Sequence, residues 1–206
     1  AAERWRDVPF ADEPAAGTVD PRAVSIELNR LLPADRAVAC DSGAFLGWPG
    51  FYLDVPDARS WAFTNGFQAV GLGLSTAIGV AVAHPHRLTV AAVGDGGLFM
   101  ALPELETAAR LGLRLLVLVY DDAAYGAEVH HFGPHGHPLD LVRFPDVDFA
   151  GLARAAGLQA ATVRRPDDLD VVNSWLDGGE APALLLDAKV VPTVVAEWLE
   201  EAFRGH

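Results

Sequence analysis

The segments RLTVAAVGD (residues 87–95) and LRLLVLVYDD (residues 113–122) constrain this chain more than any other feature. Neither alternates apolar with polar residues, so neither suits a sheet with one wet face. Between them lies ALPELETAARLGL, a helix-like stretch that puts Leu102, Leu105, Ala109 and Leu113 near one face. Two strands buried on both sides and joined through a helix are expected to be parallel and covered by helices. The alternation extends both ways. DPRAVSIELNRLL predicts a helix with Asp20 as N-cap and Pro21 in its first turn. RAVACD predicts a short buried strand ending at Asp41, SGAFLGWPGFYL a loop, and SWAFTN a second short strand. GFQAVGLGLSTAIGVAVAHP predicts a small-residue helix stopped by Pro85. VDFAGLARAAGL, QAATVRR, PDDLDVVNSWLDGG, APALLLDAKV and PTVVAEWLEEAFR continue helix and strand in turn. The expected fold is three-layer α/β/α around a mainly parallel sheet whose strand order the sequence leaves open.

With 206 residues, 51% of them apolar, one domain with a substantial core is expected. Residues 1–19 are charged and interrupted by Pro9 and Pro14, so they are expected to be a linker or N-terminal extension. Residues 20–206 are then the domain, and a chain that opens on a linker is expected to be the tail of something longer. The formal charge of −13 repels phosphate backbones and anionic lipid, which argues against nucleic-acid and membrane-surface partners. No run is apolar enough to span a membrane, and the N-terminal stretch does not read as a secretory signal. Cys40 is the only cysteine, which excludes an intrachain disulfide and a multi-thiolate zinc site. A cytoplasmic location is the expectation.

In open parallel sheets, ligands bind outside the carboxyl ends of the strands. Asp95 and Asp122 sit at two such ends, 27 residues apart, enough for one crossover through a helix. A right-handed crossover returns both to the same edge. Two carboxylates there repel each other and resist burial unless a cation lies between them. Magnesium suits the arrangement, because it takes oxygen ligands and shares its shell with substrate phosphates. Gly94, Gly96 and Gly97 leave room for backbone amides near those phosphates. A helix beginning near Ala101 would aim its N-terminal dipole at the same region. These residues read as a metal–diphosphate site; the competing reading is that each aspartate merely caps the turn or helix after its strand.

Gly94-Asp95-Gly96, followed by Asp122 and then Tyr125-Gly126, resembles the thiamine-diphosphate motif, a Gly-Asp-Gly followed by an Asn-Asn or Asn-Asp pair. GDGGLFMALPELETAARLGL and GLGLSTAIGVAVAHP extend the likeness over residues 20–190. It is to the C-terminal, diphosphate-binding domain of thiamine-diphosphate-dependent enzymes, in the acetolactate synthase and 2-oxoacid decarboxylase branch. The resemblance implies the thiamine-diphosphate-binding fold, with thiamine diphosphate and Mg²⁺ as cofactors. It implies Asp95 and Asp122 as side-chain Mg²⁺ ligands and the Ala124 carbonyl as a third protein oxygen. Gly94, Gly96 and Gly97 would approach the diphosphate, with Tyr125 and Gly126 completing the loop. Asp121 departs from the commoner Asn; it would add charge near the metal without being a ligand.

Val70 aligns with the bulky apolar residue that wedges the cofactor into its bent shape, and the Gln68 carbonyl would accept from its 4′-amino group. CDSGAFLGWPGFYL resembles the loop after the first strand, with Asp41, Ser42 and Gly43 at the diphosphate end. Phe45 and Trp48 would face the substrate channel or a neighbouring chain. Glu128, His130 and His131 lie in the substrate-side segment and are the acid–base candidates; a neutral imidazole relays protons near pH 7. His135 and His137 read as a solvated loop.

The family's activating glutamate belongs to a separate pyrimidine-binding domain, usually on another subunit, and no glutamate here fills that role. Glu104 and Glu106 lie on the crossover helix. The expected protein is therefore a thiamine diphosphate- and Mg²⁺-binding subunit or fragment of a hetero-oligomer. It would act on a small-molecule 2-oxo acid by decarboxylation with carboligation once the pyrimidine-binding domain is present. Alone, it is expected to bind the cofactor weakly and turn nothing over. The alternatives are a simple 2-oxoacid decarboxylase subunit and a non-catalytic Mg²⁺/phosphate-binding module.

Overall fold

The computed structural model describes residues 5–64, 66–178, 182–196 and 199. Its strands are β1 (Arg36–Cys40), β2 (Trp61–Phe63), β3 (Leu88–Gly94), β4 (Leu115–Asp121), β5 (Gln159–Val163) and β6 (Leu184–Lys189). They form one sheet of order β2-β1-β3-β4-β6-β5, and every pairing is parallel. Helices α1 (Pro21–Leu31), α2 (Gly47–Tyr52), α3 (Gly73–Ala83), α4 (Asp95–Met100), α5 (Glu104–Arg110), α6 (Gly126–Phe132), α7 (Phe149–Ala155) and α8 (Val171–Asp177) complete the fold.

The missing alternation in β3 and β4 has a direct cause. Val90, Ala92, Leu116, Leu118 and Tyr120 enter one core, with Val24 and Leu28 of α1, Trp48 and Tyr52 of α2, and Trp175 of α8. Their neighbours Ala91, Val93, Leu115, Val117 and Val119 enter a second core, with Leu74 and Ile78 of α3, Leu105 of α5 and Phe149 of α7. Successive side chains point to opposite faces, and both faces are dry. The three-layer α/β/α expectation therefore holds, with a wholly parallel sheet.

Helix α1 starts as the sequence predicts. Asp20 caps it, accepting from the Arg22 amide at 2.8 Å, and Pro21 occupies the first turn. Ahead of it, Val19 bridges Val190 beside the end of β6. In the stretch expected to be a linker, Arg6 pairs with Asp54, and the Arg22 guanidinium lies 4.3 Å from the centre of the Phe10 ring.

Local expectations fail where short helices replace loops. The expected loop SGAFLGWPGFYL contains a 3-10 turn at Ala44–Leu46 and then α2, because Trp48 and Tyr52, one turn apart, reach the core beside α1. The expected crossover helix is two helices. The first begins at Asp95, not near Ala101, and the chain turns at residues 101–103 before α5. Pro103 has no amide hydrogen to carry a ladder through that turn. Helix α3 begins only at Gly73, because Phe67 and Gln68 take left-handed backbone angles that no helix accommodates. The helix expected over PTVVAEWLEEAFR is absent from residues 192–196, and most of its remainder lies outside the described residues. Among the described residues, no helix is long and apolar enough to cross a membrane.

Leu118 is fully buried in the central strand, whereas Leu111 is 47% exposed after α5. Leu118→Ala is expected to cost about 3 kcal/mol in urea unfolding, and Leu111→Ala under about 0.5 kcal/mol. Equal costs would contradict this placement of the core.

A candidate active site at the carboxyl edge of the sheet

Strands β1, β3 and β4 are neighbours, and each runs into an aspartate at the same edge: Asp41, Asp95 and Asp122. The chain goes from β1 outward to β2 and then returns to the other side of β1 with β3. The reversal between β1 and β3 is the switch point at which open parallel sheets take ligands.

Asp95 is the first residue of α4 and is almost wholly buried. One carboxylate oxygen accepts from the Gly96 amide at 2.8 Å and the other from the Ala124 amide at 3.1 Å. The second bond ties the end of β3 to the loop after β4. In that loop, Ala123 has a φ of 56°, a left-handed conformation that reverses the chain directly after Asp122. The loop is held from outside as well: Phe144 donates to the Ala123 carbonyl at 2.7 Å, and Tyr125 donates to the Val142 carbonyl at 2.8 Å.

Burial, then the charges of Asp122 and Asp121, push Asp95 up to about 8, against the two amides that favour its ionised form. Burial and the Asp121 charge raise Asp122 to about 7. Asp121 itself turns away, with one oxygen on the Ala123 amide at 3.0 Å and the other on Lys189 Nζ at 2.6 Å.

These residues fit a magnesium ion. A buried carboxylate, Asp95, whose ionisation is hindered by the charge of half-buried Asp122 gains from a divalent cation, and an all-oxygen donor set suits a hard one. Among the described residues, no three His, Cys, Asp or Glu side chains group as a metal site. Two carboxylates, a backbone carbonyl and phosphate oxygens match the habit of magnesium better than an all-side-chain cage does.

A cavity of about 620 Å³ opens beside the carboxylates. Its walls bring together Ser42, Gly43, Gln68, Val70, Gly94, Asp95, Gly96, Gly97, Asp122, Ala124, Tyr125 and Gly126, along with Glu128, His130 and His131. Phe45 and Trp48 also line it. Burial lowers the His130 pKa, which keeps that imidazole neutral near pH 7.

Asp41, named with the cofactor group, is not on the cavity wall. Its carboxylate lies behind the glycine turn, accepting from Gly71 at 2.9 and 3.1 Å and from Ser42 at 2.8 Å. A side chain at Gly73 would meet the Asp41 Cβ at 2.6 Å, so α3 packs directly onto the end of β1. Two further glycines shape the loops: a Cβ on Gly96 would strike the Tyr125 ring, and one on Gly126 would strike the Asp122 carboxylate.

Sequence reasoning missed the wall contributed by residues after β6, including Val190, Val191, Pro192 and Val194. The apolar run VVPTVV was the available signal. The sequence pattern divides that run, with Val190 closing the expected strand APALLLDAKV and Pro192 opening the expected helix PTVVAEWLEEAFR.

The model of the family "Thiamine pyrophosphate enzyme, C-terminal TPP binding domain" matches residues 41–185. The chain belongs to this family. Among curated relatives, it is 28% identical over 166 residues to an acetolactate synthase of Bacillus subtilis (strain 168), covering 80% of this chain and 29% of that protein. It is 32% identical to the catabolic acetolactate synthase of Raoultella terrigena, covering 69% and 26%. It is 35% identical to the probable 2-ketoarginine decarboxylase AruI of Pseudomonas aeruginosa, covering 77% and 28%. The chain thus spans less than a third of the length of these relatives. In fold it is similar to the thiamine diphosphate-dependent 4-hydroxybenzoylformate decarboxylase of Rhodococcus jostii RHA1. The TM-score is 0.76 at 21% identity, over 90% of this chain and 36% of that one.

Because the folded state raises both carboxyls above their unfolded values, their contribution to metal-free stability is full below about pH 4. It is lost as pH rises through 7 to 8. Thermal unfolding of metal-free protein between pH 5 and 9 is expected to show this decline. Asp95→Asn should flatten it and stabilise the protein at pH 9 by on the order of 2 kcal/mol. An unchanged slope would show that Asp95 carries no buried-charge penalty.

Proposed function

We propose that this chain holds the diphosphate of thiamine diphosphate through Mg²⁺ and, with a pyrimidine-binding domain, forms an enzyme acting on 2-oxo acids. The observation that carries the reading is the placement of buried Asp95 and half-buried Asp122 at one sheet edge, both on the cavity wall. Asp95 and Asp122 would hold Mg²⁺ with the Ala124 carbonyl. Gly96 and Gly97, which carry no side chains at the mouth of α4, would let the diphosphate approach the backbone. Val70 would support the cofactor's bend, and the Gln68 carbonyl would accept from its amino group.

Bound thiamine diphosphate supplies an electron-accepting thiazolium for breaking a bond beside a 2-oxo group. On the substrate side, neutral His130 is suited to accept or pass a proton, with Glu128 and His131 on the same wall. Phe45, stacked on Tyr120 at 5.4 Å, and Trp48 would keep that end dry. Among the described residues, Glu128 is the only glutamate on the cavity wall; Glu104 and Glu106 lie on α5, off that wall. The activating glutamate implied by the family resemblance would come from the pyrimidine-binding domain, on another subunit or elsewhere in a longer chain.

Similarity to the acetolactate synthases favours decarboxylation with carboligation. The 35% identity to a probable 2-ketoarginine decarboxylase favours decarboxylation alone as the second reading. Product analysis with pyruvate and with longer 2-oxo acids separates the two.

Calorimetry with thiamine diphosphate and Mg²⁺ is expected to show weak binding by the chain alone and tight binding once the pyrimidine-binding domain is supplied. Lack of metal-dependent binding in both samples would sink the proposal. Asp122→Ala should weaken Mg²⁺-dependent retention by about 100-fold and Asp121→Ala by less than about threefold. Equal losses would overturn the ligand assignment.

A further inference from the structure

Asp121 sits next to a proposed metal ligand, yet its carboxylate is occupied elsewhere. We propose that Lys189 is a positioning residue for the cation–diphosphate site, holding Asp121 away from the cation and clamping residues 142–147 onto the loop that carries Asp122 and Ala124. This inference rests on the reading of that loop as the Mg²⁺ site.

The sheet register brings the pair together. Asp121 and Lys189 are direct partners across β4 and β6, and both side chains are buried. Lys189 Nζ lies 2.6 Å from Asp121 Oδ2, 2.7 Å from Asp146 Oδ1 and 2.5 Å from the Val147 carbonyl oxygen. An ammonium has three protons to donate, and these three acceptors match them. Asp187 Oδ2, 3.3 Å away, is a further anion beside the same cation.

The contacts close a ring through the loop. From Lys189 it passes to Asp121, whose other oxygen accepts from the Ala123 amide. From Ala123 and Tyr125 it crosses to Phe144 and Val142 through two backbone hydrogen bonds. It returns along the chain to Asp146 and Val147, which hold Lys189 again. Ala124 lies at the centre of this pairing, bridged to Arg143.

Charge gives the ring a second purpose. Asp95, Asp121 and Asp122 act on one another electrostatically. A diphosphate brought beside three carboxylates meets repulsion that one divalent ion offsets only in part. Lys189 neutralises the carboxylate that has no place in the proposed ligand set. Without it, Asp121 would be free to compete for the cation and repel the diphosphate.

The test measures Mg²⁺-dependent thiamine diphosphate binding by calorimetry in the protein assembled with its pyrimidine-binding domain. Amide hydrogen exchange is followed in parallel on the metal-free chain. Lys189→Met is expected to weaken binding by about tenfold or more. The double variant Asp121→Asn/Lys189→Met should return to within about threefold of the parent, whereas Asp187→Asn/Lys189→Met should not. Equal losses in the single variant and both doubles would overturn the charge role, because a merely structural lysine would not be rescued at position 121 alone. If the single variant does not fold, the comparison of the two doubles decides the same point. Faster exchange of the Tyr125 and Phe144 amides in Lys189→Met supports the clamp, and unchanged exchange overturns it. The exchange test holds whether or not cofactor binds, while a parent protein that binds no cofactor overturns the proposed function alone.

Discussion

Everything at this site depends on a conflict between two carboxylates and the sheet that carries them. The register that buries Val93 against Val119 also delivers Asp95 and Asp122, each just past its strand, to one edge of the sheet beside the cavity. The metal-free chain answers by favouring their neutral forms, as the raised pKa values of both groups show. A divalent cation removes the conflict while leaving the sheet untouched. The proposed cation site would thus be a consequence of strand register.

The loops around that edge are shaped by the space that side chains do not take. Gly96 yields to the Tyr125 ring, Gly126 to the Asp122 carboxylate, and Gly73 to the end of β1 at Asp41. The Tyr125 ring in turn packs edge-on against Phe144 at 4.8 Å, which joins the glycine loop after β3 to the segment that pairs with Ala123 and Tyr125. These loops, far apart in sequence, are fixed by one aromatic contact, two backbone hydrogen bonds and the bond from the Ala124 amide to the Asp95 carboxylate. Such preorganisation is what a cation site needs, because a hard ion with a strict geometry tolerates little adjustment by its ligands.

The sheet was legible because burial on both faces leaves a plain mark: two apolar runs without alternation, each ending in acid. The cap at Asp20 was legible because it is local chemistry. Nearly all the residues assigned to the cofactor line one cavity, since a motif with fixed spacing carries its geometry with it. Asp41 was the exception, and its identity gave no warning. A carboxylate after a strand can face a ligand or brace a turn, and only the path of residues 66–71 makes it a brace. The early start of α4 was hidden because Gly-Asp-Gly has poor helix propensity, which tertiary packing overrides. The wall after β6 was hidden because an apolar run suits a helix face and a cavity wall equally well.

Position 121 shows how far such hidden information reaches. As an isolated letter, an aspartate beside a proposed metal ligand is an excess charge. In the fold it faces Lys189, 68 residues later, only because β6 joins the sheet at β4 and in that register. A shift of β6 by one residue would turn the lysine, together with Asp187, to the opposite face and leave Asp121 without its cation. The burial of the pair matters too. An ion pair at the surface would contribute little and hold nothing, whereas one out of water loses several kcal/mol if either partner is removed. Asp121 and Lys189 are therefore constrained together, and through Asp146 and Val147 they pass that constraint to the loop beside the proposed cation. The apparent departure at 121 and the unremarked lysine at the end of β6 are one feature of the structure.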